Sequence, residues 1–358
     1  LLLCALLAIE NPFSFATSSQ AFNFLAKLGM YFLLFMIGFE INLREMKKKG
    51  KFIFKATFFI ILLEAVFGTL LVHFIFHASW LISFLVALSF ATVGEAILIP
   101  ILDEFKIVNT KLGQAIIGIG TLDDLIEIFA LILVAILVGS TLHFGFNVTL
   151  ILVSLFILFA LTFIFTKLKK EGRKFSFVSI ETLFLFSLFV LFLFLGIGKL
   201  ADTAPLAALL AGIGLKTFIP RRRLELIEKE IKTMCYGFFA PLFFLSVGIE
   251  MNMAYLVAFP LLILLVVAVS KGAKILGSYL IAKKELGVKR AILLGIGLSV
   301  RFSTSIVIIK ILFDSGLVSS GLYSVIVASS IIFKFIIPVL FSNLLVRWKI
   351  VKPKVKPR

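Results

Sequence analysis

Three carboxylates lie in a stretch of the sequence that is otherwise almost wholly apolar. Asp123, Asp124 and Glu127 occur in "GIGTLDDLIEIF" (118–129), and the apolar run continues to Gly139 without another charge. A charged side chain at mid-membrane costs at least about 2.5–3.5 kcal/mol on insertion scales, so an intramembrane carboxylate marks a functional site by default. Such a carboxylate can take up a proton or a small cation, but not both at once. The alternative is that the acids only hold helices together.

The helix that would carry these acids directs them to different partners. Successive residues of a helix point about 100° apart, so Asp123 and Asp124 cannot face the same neighbour. One acid can meet a cation on another helix while the other faces a water-filled cavity. Glu127 follows at three- and four-residue spacing, which makes it an accessory candidate on the same face.

A later apolar run supplies candidate counter-charges. "VAVSKGAKILGSYLIAKK" (267–284) has Lys271 and Lys274 in its interior, one helical turn apart. Lys274 lies about two and a half turns from the lysines that end the run. We expect Lys274 to pair with Asp123, because each charge would offset the cost of burying the other. The alternative for either lysine is that its long side chain snorkels to the membrane surface.

Two further apolar runs contain residues that interrupt a helix. "SFATVGEAILIP" (89–100) and "GIGLSVRFSTSI" (295–306) each combine glycine with hydroxyl and charged residues. Glycine and proline let a transmembrane helix unwind, and the freed carbonyls and hydroxyls can then hold a small cation. Paired interruptions in two halves of a sequence are typical of a transporter's binding site. The candidate residues are Thr92 and Glu95 at the first interruption, and Arg301 and Ser303 at the second.

The composition indicates an all-α polytopic membrane protein. The 358 residues are 61% hydrophobic and only 15% charged, whereas a soluble protein is about half apolar. Apolar runs of roughly 20 residues recur from end to end, and each is long enough to cross a bilayer as a helix. We predict about eleven full spans after a fragment of a truncated helix at 1–10, namely 21–40, 53–76, 80–102, 113–139, 147–167, 176–197, 201–216, 234–252, 255–282, 291–313 and 320–347.

The basic residues indicate how these spans are oriented. With the predicted spans, all of the basic clusters fall on one side of the membrane, at 44–52, 103–111, 167–174, 220–232, 283–290 and 347–358. By the positive-inside rule that side is cytoplasmic, and so is the basic tail 348–358. The net charge of +17 therefore sets topology and does not indicate a nucleic-acid partner. We expect the cluster "RRRLELIEKEIK" to form a short amphipathic helix at the inner surface.

Five stretches, taken in order, resemble the monovalent cation:proton antiporter-2 family over nearly the whole chain. They are "LGMYFLLFMIGFEINLREMKK", "GIGTLDDLIEIFALI", "LADTAPLAALLAGIGL", "FFAPLFFLSVGIEMNM" and "KILGSYLIAKKELGVKRAILLGIGLSVR". At the aspartate pair the resemblance is to the electrogenic sodium/proton antiporters with two aspartates. It implies an inverted-repeat antiporter fold with two discontinuous, crossing helices.

The resemblance also implies a role for each candidate residue. Asp124 would bind the cation and the proton in turn, and Asp123 would pair with Lys274. Thr92 would be a hydroxyl group near the ion, and Arg301 would be the arginine of the second unwound region. The implied sodium ligands are therefore Asp124, Asp123 and Thr92.

The same resemblance implies that 1–358 form a single transporter unit in the bacterial inner membrane. Core helices would occupy about 53–139 and 234–313, and dimerisation or scaffold helices about 1–52, 147–216 and 320–347. The implied activity is exchange of Na⁺ or Li⁺ for H⁺ by alternating access, in the service of pH homeostasis. A homodimer is implied, and no cofactor or enzymatic activity is expected.

Two departures from the family pattern bear on the transported ion. The family often has Pro-Arg-Gly-Glu where this chain has Val300-Arg301-Phe302-Ser303, so the glutamate is absent. Glu95 stands in the first unwound segment, where many relatives have a neutral residue, and could add a ligand or a second proton site. Both departures leave the choice of ion and the stoichiometry open.

Three other functions are weighed against this one. A K⁺/H⁺ antiporter or a ligand-gated potassium efflux protein of the same superfamily would share the fold, although the efflux systems commonly have one aspartate and a soluble nucleotide-binding domain. An intramembrane aspartyl protease would need a Gly-x-Gly-Asp motif, and in this chain the acid is displaced by two residues. A membrane scaffold without transport does not explain acids and lysines at matching depth.

Overall fold

The protein is all-helical over the residues that the structure describes. This computed structural model describes residues 14–40, 50–91, 95–142, 147–168, 179–219, 221–300 and 303–350. After a short turn at Ser14–Thr17, the helices are α1 (Gln20–Glu40), α2 (Lys51–Phe76), α3 (Trp80–Ala91), α4 (Glu95–Glu104), α5 (Lys111–Leu142), α6 (Asn147–Lys167), α7 (Ile180–Lys199), α8 (Ala204–Phe218), α9 (Arg221–Met234), α10 (Ala240–Ile249), α11 (Met253–Ala258), α12 (Pro260–Leu286), α13 (Val288–Gly297), α14 (Ser303–Asp314) and α15 (Ser320–Arg347). A π-helical turn, Cys235–Phe239, joins α9 to α10.

The predicted spans and the observed helices agree closely. Each of the eleven spans has a helix at its position, while the predicted fragment at 1–10 lies outside the described residues. The span predicted at 80–102 is divided into α3 and α4, and the span at 291–313 is divided into α13 and α14. Both divisions fall at the interruptions that the sequence predicts. The amphipathic helix predicted in the basic segment 220–232 is α9, Arg221–Met234.

The surface of the molecule is suited to lipid. Six helical stretches among the described residues are long and apolar enough to cross a membrane: α1, α2, α7, the stretch from α9 into α10, α12 and α15. Large apolar side chains point outward from several helices, with Phe58 61%, Phe156 74% and Phe189 62% exposed. Apolar surface on this scale marks contact with a membrane or a partner rather than water. The protein is therefore a multi-pass membrane protein.

The chain forms two compact units. The first comprises residues 1–41 and 131–251, and the second comprises 42–130 and 252–358. These units differ from the predicted core and scaffold at 42–52, 131–139, 234–251 and 320–347, which fall in the opposite group. The division into a moving core and a dimerisation scaffold stays a prediction.

Within the first unit, α1 and α8 cross at a pair of glycines. A Cβ atom on Gly38 would lie 2.0 Å from the carbonyl oxygen of Leu209, and a Cβ on Gly212 would lie 2.1 Å from that of Phe35. Small residues let two helices approach until their backbones touch, which is how helices associate in lipid. The two glycines therefore fix the distance between α1 and α8.

Within the second unit, α12 packs against both α2 and α13. The approach of α2 depends on Gly277, where a Cβ would lie 3.4 Å from the Cα of Ile60. The approach of α13 is closer, since a Cβ on Gly295 would lie 2.6 Å from the Cα of Ile275. The half-helices α3 and α14 also pack against each other. These contacts surround the middle of α12 with α2 and both interrupted helices.

Candidate ion-binding site

The side chain of Lys274 is completely buried in the middle of α12. Its Nζ lies 2.9 Å from Oε2 of Glu64 on α2. It also donates hydrogen bonds to the carbonyl oxygens of Ala91, at 2.7 Å, and Leu298, at 3.2 Å. The two carbonyl oxygens accept hydrogen bonds from two of the three N–H groups of the ammonium, and the Glu64 carboxylate balances its charge. Lys274 therefore does not snorkel to the surface.

The two carbonyls belong to the ends of the two interrupted helices. Ala91 is the last residue of α3, and Leu298 directly follows α13. The last carbonyls of a helix have no partner within the helix and form the negative end of its dipole. One ammonium group therefore caps both half-helices and brings the two interruptions to the same place on α12.

Glu64 is the residue of this cluster that the sequence analysis missed. Its side chain is fully buried near the middle of α2. Its Oε1 accepts a short hydrogen bond from the hydroxyl of Ser270 and lies 3.5 Å from Nζ of Lys271. The signal was present in the sequence, because Glu64 is the single acid in the 26 residues of α2. The rule that singles out Asp123, an acid deep in an apolar span, applies equally to Glu64.

Lys271 is the second buried lysine of the cluster. It is 5% exposed, and its Nζ lies 4.7 Å from the ring centroid of Phe333 on α15. An ammonium over the face of an aromatic ring is stabilised by the ring's quadrupole. Two buried ammonium groups thus share the carboxylate of Glu64, and neither snorkels.

The predicted pairing of Lys274 needs a correction. Among the described side chains its ion pair is with Glu64 in place of Asp123. The cause is the close approach of α2 at Gly277, where the helix backbone reaches Ile60. Glu64 lies one turn beyond Ile60 and Lys274 nearly one turn before Gly277, so the two side chains meet. Spacing along α12 gives the depth of a lysine, but it does not give the helix that faces it.

Asp123 is fully buried on α5. Ile116, Ile119 and Asp123 share one face of this helix, because they are separated by three and four residues. Ile116 packs beside the end of α13, where a Cβ on Gly297 would lie 3.2 Å from its Cδ1. The face of α5 that carries Asp123 is therefore the face that meets the second interrupted helix. Asp123 lies about 10 Å further along α5 than Ile116.

The remaining predicted residues are only partly placed. Two of them, Thr92 and Arg301, lie outside the described residues. Four others lie on described helices, although their side chains are outside what the structure describes: Glu95 begins α4, Ser303 begins α14, and Asp124 and Glu127 are in α5. Their predicted roles stay predictions.

Two interrupted helices whose ends meet at buried charges, within a multi-pass helical protein, define the class of secondary transporters. The comparison with known proteins names the family. The family model described as "Sodium/hydrogen exchanger, transmembrane" matches residues 2–347. The chain therefore belongs to the sodium/hydrogen exchanger family.

Individual relatives and a solved structure agree with this assignment. The chain is 27% identical to "Probable Na(+)/H(+) antiporter 3" of Methanocaldococcus jannaschii, over 91% of this chain and 84% of the relative. It is also 27% identical to the Na(+)/H(+) antiporter of Enterococcus hirae, over 88% of this chain and 82% of the relative. The structure of the sodium proton antiporter MjNhaP1 from M. jannaschii superposes with a TM-score of 0.62 at 16% identity, covering 97% of this chain and 90% of that one. At that identity the superposition shows a shared fold.

Proposed function

We propose that the protein exchanges Na⁺ for H⁺ across the membrane by alternating access, and that Asp124 binds the two ions in competition. Li⁺ would replace Na⁺ at the same site, with Asp123 and Thr92 as the further ligands. Membership of the sodium/hydrogen exchanger family supports the reaction. The aspartate pair on α5 supports placing the chain with the two-aspartate antiporters of the monovalent cation:proton antiporter-2 type.

The observation that carries the proposal is the convergence of both interrupted helices on Lys274. The ends of α3 and α13 present carbonyl oxygens at the same point. Carbonyl oxygens at unwound helix ends are the groups that hold small cations in secondary transporters. Ile116, on the same face of α5 as Asp123, packs beside the end of α13, which supports placing the acids of α5 in the region of these carbonyls.

The mechanism follows from exclusive occupancy of one carboxylate. Asp124 holds either a proton or Na⁺, and movement of the core exposes it first to one side of the membrane and then to the other. Asp123 points about 100° away along the helix and supplies a second oxygen ligand or a charge partner.

The proposal extends to location and assembly. We place the protein in a bacterial inner membrane with the basic loops and the C-terminus in the cytoplasm, since every basic cluster falls on the same side of the predicted spans. We place it there as a homodimer, as the resemblance to the family implies. Its exchange would serve pH homeostasis.

The test is Na⁺-dependent proton movement in everted membrane vesicles that contain the Asp124→Asn variant. Asparagine keeps the shape of the side chain but cannot hold and release a proton, so we expect exchange to fall at least tenfold. The matched control is Asp103→Asn, an exposed acid near the end of α4, which should exchange like the wild type. Exchange by Asp124→Asn at the wild-type rate would refute the assignment.

The same vesicles separate the two candidate ions. Na⁺, Li⁺ or K⁺ is added in turn to vesicles with a preset pH gradient, and the rate of its dissipation is measured. The proposal expects a response to Na⁺ and Li⁺. A response to K⁺ alone would make the protein a K⁺/H⁺ antiporter or a potassium efflux system.

A further inference from the structure

Glu64 has a defined place beside the proposed exchange site. Its carboxylate is fully buried, and it meets Lys274 through Oε2 and both Ser270 and Lys271 through Oε1. Each oxygen therefore has its own set of donors, and the carboxylate cannot turn without losing some of them. Two residues of α12, Ser270 and Lys271, both contact Oε1 and so leave Oε2 to receive Lys274.

The position of the Lys274 ammonium matters because it is itself a cation. It lies at the ends of α3 and α13, and α5 packs against the end of α13. A buried charge must have a partner, since an uncompensated one is strongly destabilising. If Glu64 were not available, the carboxylates of α5 would be the acids to which this ammonium is drawn. There it would occupy oxygens that Na⁺ needs.

We propose that Glu64 is a positioning residue of the exchange site, which holds the Lys274 ammonium on the α2 side so that it does not compete with Na⁺ for the carboxylates of α5. This inference rests on the proposed function. Glu64 acts through Lys274 and does not itself contact the transported ion. The carbonyls of Ala91 and Leu298 share the task, but as neutral groups they cannot balance the charge.

The proposal is tested by measuring KM and kcat for Na⁺ separately in vesicles with Glu64→Gln. Competition by the released ammonium raises KM and leaves the moving steps unchanged. We expect KM to rise roughly three- to tenfold with kcat within about twofold of the wild type. Glu64→Asp keeps the charge, and we expect it to restore most of the wild-type KM. The control is Glu104→Gln, an exposed acid at the end of α4, for which no change is expected.

A second variant keeps the test decisive if Glu64→Gln does not fold. Ser270→Ala removes one donor to Glu64 and no charge, so the protein should assemble normally. Without this tether Glu64 holds Lys274 less firmly, and KM for Na⁺ should rise about twofold. Stabilisation of the purified protein against heat by increasing Na⁺ gives the same comparison without transport, because a ligand stabilises the folded state more strongly when its Kd is lower.

The results distinguish this proposal from the function on which it rests. Absence of exchange by the wild type, or exchange that survives Asp124→Asn, refutes the proposed function. Normal wild-type exchange together with an unchanged KM in Glu64→Gln or Ser270→Ala refutes the role of Glu64 alone. A fall in kcat at unchanged KM also refutes it, because that is the result of a purely structural contact.

Discussion

Replacing Lys274 by methionine is expected to reduce the stability of this protein by roughly 3–5 kcal/mol, the cost of breaking a buried ion pair from one side. Methionine is close to lysine in length and fills the same space, so packing around α12 is preserved. What is lost is the charge facing Glu64 and the donor to the carbonyls of Ala91 and Leu298. The measurement is the melting temperature of the purified protein in detergent, together with the yield of monodisperse protein.

The matched control lies two to three turns further along the same helix. Lys284 is exposed at the end of α12, and Lys284→Met should change the melting temperature little. The double variant Glu64→Gln with Lys274→Met should be more stable than the sum of the single changes indicates, since partners in a network are coupled by about 0.5–3 kcal/mol. Additive effects would mean that the pair in the structure contributes no coupling.

Replacing Gly212 by alanine is expected to prevent the correct packing of the first unit. The new Cβ would lie 2.1 Å from the carbonyl oxygen of Phe35 and 2.7 Å from the amide nitrogen of Phe39. Both are backbone atoms of α1, which cannot turn aside as a flexible side chain can. Overpacking typically costs about 1–3 kcal/mol, and a clash with backbone lies at or above the upper end. The expected result is a large loss of folded protein in membranes and a lower melting temperature.

Gly196 provides the comparison for this substitution. It lies in α7 of the same unit, and a Cβ there would have nothing within 4 Å. Gly196→Ala should be neutral or slightly stabilising, because alanine favours the helix over glycine by about 1 kcal/mol. If Gly212→Ala behaved like Gly196→Ala, the close crossing of α1 and α8 would be wrong.

Much of the fold could be predicted from the sequence because the bilayer imposes a fixed length on each span. The two interruptions were also predictable, since glycine and polar residues gather at 89–100 and 295–306. The exact residues at which the helices are interrupted were harder to predict. Pro100 suggests where a helix should end, yet it lies inside α4, while α3 ends earlier, at Ala91. A membrane helix tolerates proline where neighbouring groups satisfy the freed carbonyl.

The site could be predicted only as a set of residue types at a common depth. The sequence places Lys274 and three candidate acids deep in spans, but pairing depends on which helices touch. That was decided by Gly277, whose missing side chain admits α2 and so presents Glu64. No feature of the sequence around Lys274 states that its neighbour is α2. The same limit explains why the acid of α2 was overlooked, since it has no charged neighbour along its own helix to draw attention to it.

The shared cap on α3 and α13 has a consequence for how the transporter would move. Both helix ends accept a hydrogen bond from the same nitrogen atom, so a displacement of Lys274 would remove the cap from both ends at once. Opening on one side of the membrane and closing on the other would then be a single concerted event, with no long-lived half-open form through which ions could leak.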